Sequence, residues 1–263
     1  MMTMEKTYQI VLILLLYTIN LSLSVHLTDI QIPEYADIRD IVTLSCSYRM
    51  GRNKLNSVKW YKDDREFFRY APLMDQQIST WTVVGITLYS ENPYRCNKTT
   101  CSVSLDNLSS MSSGIYRCEI SADAPSFTIN FSDQRMTIVA LPRHDPIIQG
   151  LNPIYSMDEM LEANCTTASY PPAVIIWHIN GILMTAERAQ LTQYEIQLDI
   201  RDLQVRSRTM EIQYRIASRG QLFLKCTADI ELLNVKRQTS ELVYIRKIEK
   251  MSNLRLINSA YLS

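Results

Sequence analysis

The chain has 263 residues, which is enough for two domains of ordinary size, each with its own core. Its 27 Lys and Arg residues balance 27 Asp and Glu residues, and neither half is polarised, which argues against nucleic acid as a partner. Six cysteines, an even number, favour disulfide bonds in an oxidising compartment.

Residues 1–24 have the pattern of a signal peptide. Lys6 precedes a mostly apolar run from Tyr8 to Ile19 that is short for a membrane span, and Ser22 and Ser24 supply small residues before a cleavage site. A buried core helix or an uncleaved anchor are the alternatives. No later segment is predicted to span a membrane, and the ending lacks a GPI signal. We therefore expect a secreted, extracellular protein, associated with the outer face of the plasma membrane, if at all, through its partner.

Residues 25–141 contain short runs that alternate apolar and polar residues, which is typical of half-buried antiparallel strands. Cys46 and Cys118 lie on two such runs, 72 positions apart, and Trp60 lies on a run between them. In an immunoglobulin sandwich, cysteines on strands B and F join the two sheets and a Trp on strand C packs against the bridge. Tyr116 suits a tyrosine corner, and the spacing leaves room for the C′ strand of a variable-type domain.

Cys96 and Cys101 form a separate pair, divided by four residues near the predicted strands D and E. A local disulfide across a tight hairpin is the preferred interpretation. A zinc half-site would need a second Cys or His pair, which the sequence lacks. Unpaired or intermolecular cysteines stay open as alternatives.

The outward side of the predicted G, F, C and C′ sheet is the candidate for protein binding. Since Trp60 and Cys118 point inward, their neighbours point outward, and the EFFRY segment and the F to G loop add aromatic residues that suit an interface. The alternative is that Phe68 and Phe127 pack under loops. The predicted binding residues are Lys59, Tyr61, Phe68, Arg69, Tyr70, Arg117, Glu119, Asp123 and Phe127.

A linker at 142–149 contains Pro142 and Pro146 and should be short and stiff. Residues 150–247 repeat the plan with Cys165, Trp177 and Cys226, and the shorter spacing of 61 positions is closer to a constant-type domain. Residues 248–263 form a tail. The predicted fold is all-β: two tandem immunoglobulin-like β-sandwiches, variable-type and then constant-type-like, after a signal peptide.

Four N-glycosylation sequons are present, at Asn97, Asn107, Asn130 and Asn164. In a secreted chain some of them should be occupied, and occupied sites must face solvent.

No pattern in the sequence indicates catalysis. The three histidines, His26, His144 and His178, have no metal-ligand spacing, and no nucleophile elbow or phosphate-binding glycine loop occurs. We expect no enzymatic activity, catalytic residue, metal, cofactor or small-molecule substrate.

Three segments closely resemble the beaten path (Beat) family of arthropod neuronal immunoglobulin proteins: Ser57–Pro72, Ser112–Phe127, and the run from Ile147 through Ala163–Gly181. The resemblance covers roughly residues 27–229. It implies a role in axon guidance and synaptic partner matching, through heterophilic binding to transmembrane immunoglobulin receptors of the Sidestep family. One departure is Ser112, which stands where the usual corner motif has Asp, so a salt bridge to the D strand should be missing.

Two other functions are compatible with a pair of extracellular immunoglobulin-like domains. The first is a generic secreted adhesion protein or an immune decoy. Only the family motifs argue against it, and a map of the cells that express the protein would distinguish it from a neuronal recognition protein. A structural matrix component should carry repeats or self-associate, and the chain predicts only two dissimilar domains.

Overall fold

The computed structural model describes residues 8–9, 25–217 and 220–246. The predicted signal peptide, apart from residues 8–9, and the predicted tail at 248–263 lie outside these residues. The chain divides into two compact units: unit 1 runs to Ala140 and includes Ile200–Leu203, and unit 2 comprises Leu141–Asp199 and the residues from Gln204 onwards.

Unit 1 is a sandwich of two β-sheets. One sheet has the order β1-β3-β8-β7, and the other has the order β2-β10-β9-β4-β5-β6. Strands β5 and β6 extend the second sheet beyond β4, as the C′ and C″ strands of a variable-type immunoglobulin domain do. The strands are β1 (His26–Gln31), β2 (Tyr35–Asp37), β3 (Val42–Arg49), β4 (Leu55–Lys62), β5 (Arg65–Tyr70), β6 (Ile78–Thr80), β7 (Tyr94–Cys96), β8 (Thr100–Leu105), β9 (Gly114–Ala122) and β10 (Ile129–Val139).

A disulfide between the two sheets lies at the centre of unit 1. It joins Cys46 on β3 to Cys118 on β9, with the Cα atoms 6.5 Å apart. Trp60 on β4 lies directly opposite Cys118 in the sheet register and is fully buried. The alternation read from the sequence therefore places the bridge and the indole on the same inner face.

A second disulfide joins Cys96 to Cys101 across the hairpin between β7 and β8. The two residues are register partners, so the bridge links adjacent strands locally. Cys101 is also the register partner of Cys46 on β3 and is fully buried. The hairpin bridge therefore lies on the inner side of the four-stranded sheet, beside the central disulfide.

Tyr116, near the start of β9, forms a tyrosine corner. Its hydroxyl donates a hydrogen bond to the carbonyl oxygen of Ser112, 2.7 Å away, in a fully buried position. Burial, with a smaller contribution from the charge of Asp63, raises the pKa of Tyr116 and keeps the phenol protonated as a donor. Where the usual motif has Asp, the Ser112 hydroxyl accepts the backbone N–H of Ser109, so it closes the short turn instead of pairing with a cation.

Replacing Tyr116 with Phe is expected to lower the free energy of unfolding by about 1–2 kcal/mol, because the buried Ser112 carbonyl oxygen loses its donor. The measurement is the urea midpoint, read with an unchanged m-value. Tyr244→Phe, in unit 2, is the matched control: it removes the hydroxyl of a tyrosine that is 50% exposed and should change stability by less than about 0.5 kcal/mol. Equal midpoints for Tyr116→Phe and the unaltered chain would contradict the stabilising role of the corner.

The second sandwich has the sheet orders β11-β13-β17-β16 and β12-β19-β18-β14-β15. The disulfide Cys165–Cys226 joins its sheets, and Trp177 lies opposite Cys226 and donates from its indole N–H to the Met210 carbonyl oxygen, 3.1 Å away. The strands are β11 (Ile147–Gln149), β12 (Ile154–Ser156), β13 (Met160–Ser169), β14 (Val174–Ile179), β15 (Ile182–Leu183), β16 (Gln190–Ile200), β17 (Leu203–Arg215), β18 (Gly220–Ile230) and β19 (Val235–Arg246).

The two sheets of the second sandwich differ in how closely they follow the constant-type plan. The four-stranded sheet is the A, B, E and D sheet of that plan. The other sheet contains C, F and G, to which the structure adds the two-residue strand β15 and the short parallel strand β12.

The prediction of an all-β chain with two tandem immunoglobulin-like sandwiches is confirmed.

Candidate protein-binding face

The six-stranded sheet of unit 1 has one buried side and one solvent-facing side. On the central strands β4 and β9, Trp60 and Cys118 are fully buried, whereas their neighbours are only half-buried. Lys59 lies opposite Glu119 in the register, and Tyr61 lies opposite Arg117. Because paired residues point to the same side of a sheet, these four side chains share the solvent-facing side.

The neighbouring strands continue this surface in both directions. On β10, Phe131 lies opposite Glu119 and Asp133 opposite Arg117; on β5, Arg69 lies opposite Lys59. We call this surface the outer face. It consists of Lys59, Tyr61, Glu66, Arg69, Trp81, Arg117, Glu119, Phe131 and Asp133.

Two ion pairs on β4, β5 and β9 neutralise charges within the outer face. The Lys59 ammonium lies 3.0 Å from the Glu119 carboxylate, to which the Tyr61 hydroxyl also donates at 3.3 Å. Arg69 donates to both carboxylate oxygens of Glu66, at 2.6 and 2.9 Å. The hydrogen bonds to Glu66 raise the pKa of Arg69. Burial lowers the pKa of Lys59, but the hydrogen bond to Glu119 and its charge raise it by more, so the pKa of Lys59 is raised as well. Lys59 and Arg69 therefore stay charged at physiological pH.

Arg117 is paired on both sides. Its guanidinium lies 3.0 Å from the Asp64 carboxylate and 3.4 Å from that of Asp133. The turn between β4 and β5 presents Asp64, because Asp63 and Asp64 both adopt positive φ angles, 48° and 62°.

Asp63 fixes the start of β9: its carboxylate accepts the backbone N–H of Ile115 at 2.9 Å. A Cβ atom on Gly114 would lie 2.6 Å from the same carboxylate, which explains the glycine at the start of β9.

Two arginines of the outer face also lie against aromatic rings. The Arg69 guanidinium carbon is 5.2 Å from the centre of the Trp81 ring, and that of Arg117 is 4.9 Å from the centre of the Phe131 ring. Trp81 is 44% exposed and Phe131 is 57% exposed. Each stack holds an aromatic side chain in place at the surface, so the rings keep a large area available for contact.

The prediction of Phe68 as a binding residue is wrong, because its side chain is fully buried. The register between β4 and β5 shifts by one residue: Trp60 lies opposite Phe68, and Tyr61 lies opposite Glu66. Phe67 is the extra residue of this β-bulge, and a bulge interrupts the alternation of side chains. Phe67 and Phe68 are therefore both buried, with Phe67 packed edge-on against Tyr116.

Tyr70 is also misplaced by the sequence prediction. It is half-buried, and its register partner Val58 is fully buried, so Tyr70 lies on the inner side of the sheet near its edge.

The loop between β9 and β10 contains two of the predicted binding residues. Asp123 is half-buried at its start, and the backbone N–H of Asp123 donates to the Lys54 carbonyl oxygen. Phe127, in the same loop, is 70% exposed, so the alternative that it packs under a loop is wrong.

Sequence reasoning missed Trp81, Phe131 and Asp133. The phase of β10 could have been read from its buried residues Met136 and Ile138, because alternation then places Phe131 and Asp133 outward. Trp81 follows the short strand β6 and is tied to β5 by a hydrogen bond from its backbone N–H to the Phe67 carbonyl oxygen. No periodic signal marks such a strand.

The four sequons occupy different settings. Asn97 and Asn107 are exposed in turns on either side of β8. Asn130 belongs to β10, and its side-chain oxygen accepts the backbone N–H of Leu27 at 3.2 Å. Asn164 lies on β13 between two buried residues, Ala163 and Cys165, so its side chain faces outward.

The three histidines lie apart from one another in the fold. His26 is half-buried on β1, His144 is exposed, and His178 is half-buried on β14. Burial, with a smaller contribution from Lys225, lowers the pKa of His178. Within the described ranges, no helical segment has the length and apolar character needed to cross a membrane.

No protein-family model matches the chain. No curated protein matches it either. Among solved structures, it is similar to the crystal structure of Rst D1-D2, with 16% identity, 84% of this chain and 99% of that chain covered, and a TM-score of 0.49. It is also similar to a crystal structure of titin domains, with 12% identity, coverage of 85% and 66%, and a TM-score of 0.42. At these identities the likeness concerns the fold alone.

Proposed function

We propose that this protein recognises another protein outside the cell, and that the outer face of unit 1 is the contact surface. The observation that carries the proposal is the pair of exposed aromatic rings, Trp81 and Phe131, each stacked against an arginine on one side of the same sheet. Trp, Tyr and Arg are the residues that dominate the energetics of protein interfaces. Three disulfides fit a chain that folds in an oxidising compartment.

The internal ion pairs shape what the partner must provide. Because Lys59, Arg69 and Arg117 each pair with a carboxylate within the outer face, Glu119, Glu66 and Asp133, the surface has no unbalanced charge for an oppositely charged partner to neutralise. Burial of the rings and of the aliphatic parts of the arginines supplies the affinity. The fixed charges then supply selectivity, because a partner that leaves them poorly paired pays a desolvation cost.

The partner that we propose is a transmembrane immunoglobulin receptor of the Sidestep type, bound heterophilically in axon guidance and synaptic partner matching. Support comes from where the Beat-like segments fall. Ser57–Pro72 contains β5 and most of β4, and Ser112–Phe127 contains β9. These two segments, of which Ser112–Phe127 has the more specific resemblance, carry the centre of the outer face.

A binding screen of the purified ectodomain against the cell-surface immunoglobulin proteins of the same animal tests this partner. Saturable binding to a Sidestep-type ectodomain supports it. Binding to immune-cell receptors instead favours a decoy, and binding to its own immobilised copy favours homophilic adhesion. Either of these results, without Sidestep-type binding, overturns the proposed partner while leaving the outer face to be tested separately.

Phe131→Asp is expected to weaken binding to the partner identified in that screen by tenfold or more, about 1.4 kcal/mol, because it removes an exposed aromatic ring from the contact surface and puts a carboxylate in its place. Surface plasmon resonance measures the loss. Phe223→Asp is the matched control, since Phe223 is also exposed on a strand, β18 of unit 2. Both variants should keep the melting temperature, and equal affinities for the two would move the interface away from the outer face.

A further inference from the structure

The outer side of the four-stranded sheet of unit 2 carries an apolar row on its edge strand. Tyr194, Ile196 and Leu198 alternate along β16 and are 53%, 66% and 42% exposed. The intervening Glu195 pairs with Arg206 and Arg208, so the other side of the strand is polar. A long edge strand with exposed apolar side chains is a template for unwanted pairing, and soluble proteins usually cover such an edge.

The sequon at Asn164 lies on the same side of this sheet. Asn164 on β13 is the register partner of Glu211 on β17, and the Tyr194 hydroxyl on β16 donates to the Glu211 carboxylate at 3.1 Å. Asn164, Glu211 and Tyr194 therefore lie on three adjacent strands and face the same way. The hydrogen bond tilts the tyrosine toward β17, which is the direction of Asn164.

We propose that an N-linked glycan on Asn164 covers the apolar row of β16, with its first sugars packed on Tyr194 and Ile196. Strand β16 lies two strands from β13, roughly 10 Å, a span that the first few sugars of an N-linked glycan cross. The apolar faces of the sugar rings remove the aromatic and aliphatic side chains from water, and the hydroxyl groups keep the surface hydrated. Among the described residues, the Asn164 carboxamide has no hydrogen bond that attachment would break.

The other sequons lack this arrangement. Asn97 uses its side-chain oxygen to accept the backbone N–H groups of Thr99 and Thr100 and so shapes the β7–β8 turn. Asn107 lies in the turn after β8. The Asn130 carboxamide is half-buried and bound to Leu27, so a glycan there would disturb the contact between β10 and β1.

The inference rests on the extracellular part of the proposed function, because only a chain that enters the secretory pathway receives N-linked glycans. Occupancy at each Asn is measured by mass spectrometry on the full chain secreted from animal cells. An occupied Asn164 is the expected result. Asn97 distinguishes the two failures: an occupied Asn97 with an empty Asn164 overturns the glycan cover alone, whereas four empty sequons in a chain retained inside the cell overturn secretion as well.

The covering role is tested by hydrogen exchange of the peptide that contains β16. Asn164→Gln should speed amide exchange in this peptide by about fivefold or more and promote concentration-dependent self-association. Thr166→Ser, which keeps the sequon, and Asn97→Gln, which removes a different glycan, are the controls and should leave both measurements unchanged. Trimming the glycan enzymatically on the folded protein repeats the test without a mutation.

Ile196→Thr in the Asn164→Gln background should return the protein to a monomer, because it removes the most exposed member of the apolar row. Exchange rates of β16 that are equal with and without the Asn164 glycan would overturn the proposal. A fully glycosylated protein that already dimerises through β16 would also overturn it, because a second copy would then be the cover.

Discussion

Replacing Cys46 and Cys118 together with alanine is expected to lower the free energy of unfolding by about 4 kcal/mol, because the bridge closes a loop with a sequence separation of 72. The loss is a large fraction of the stability of an ordinary domain. We therefore expect little folded protein in the culture medium, as measured by the secreted yield and, for the fraction that is secreted, by the denaturant midpoint.

The hairpin disulfide provides the matched comparison. Cys96→Ala with Cys101→Ala removes a bridge with a sequence separation of 5, so the loop-closure term is smaller, about 2 kcal/mol. The second double variant should consequently be secreted in greater amount and unfold at a higher denaturant concentration than the first. Equal losses for the two would contradict the assignment of Cys46–Cys118 as the main constraint on unit 1.

Trp60→Ala is expected to lower the free energy of unfolding by about 3–5 kcal/mol, because a fully buried indole leaves a cavity in a closely packed core. Trp60 lies opposite Cys118 on one side and Phe68 on the other, so the cavity would open beside both the disulfide and the bulged strand. Chemical denaturation followed by circular dichroism measures the loss.

Trp81→Ala is the control, since it removes the same residue type from the opposite side of the same sheet. Its ring is 44% exposed and stacks under Arg69, an interaction that contributes about 0.5–1 kcal/mol at exposed sites. We expect a stability loss below about 1 kcal/mol, with a larger effect on partner binding. A Trp81 variant that is destabilised as much as the Trp60 variant would remove the distinction between the inner side and the outer face.

Much of the fold could be predicted because the sequence alternates so regularly on its central strands. Cys46, Trp60 and Cys118 each lie in a run with a period of two, and an oxidising compartment makes the pairing of inward cysteines chemically reasonable. The corner tyrosine follows the same logic, because Tyr116 is two residues from Cys118 and so shares its inner side. The same alternation predicts that Lys59, Arg117 and Glu119 face outward.

The errors occur where the backbone departs from alternation. The bulge at Phe67 buries two consecutive aromatic residues, and nothing local distinguishes EFFRY from a regular strand with one exposed Phe. The role of Trp81 depends on β6, a three-residue strand whose position is fixed by its pairing with β5. Such contacts are set by tertiary structure, so periodicity has no information about them.

The ion pairs within the outer face also determine how quickly a partner is found. A surface whose charges are already neutralised by neighbours attracts an approaching protein little from a distance, so association should proceed at an unsteered rate, on the order of 10⁵–10⁶ M⁻¹s⁻¹, with little dependence on ionic strength. Differences in affinity between competing partners would then appear as differences in the lifetime of the complex. Discrimination between partners would then depend on how fast each complex dissociates after contact. Variation in the salt concentration at the cell surface would leave this discrimination unchanged.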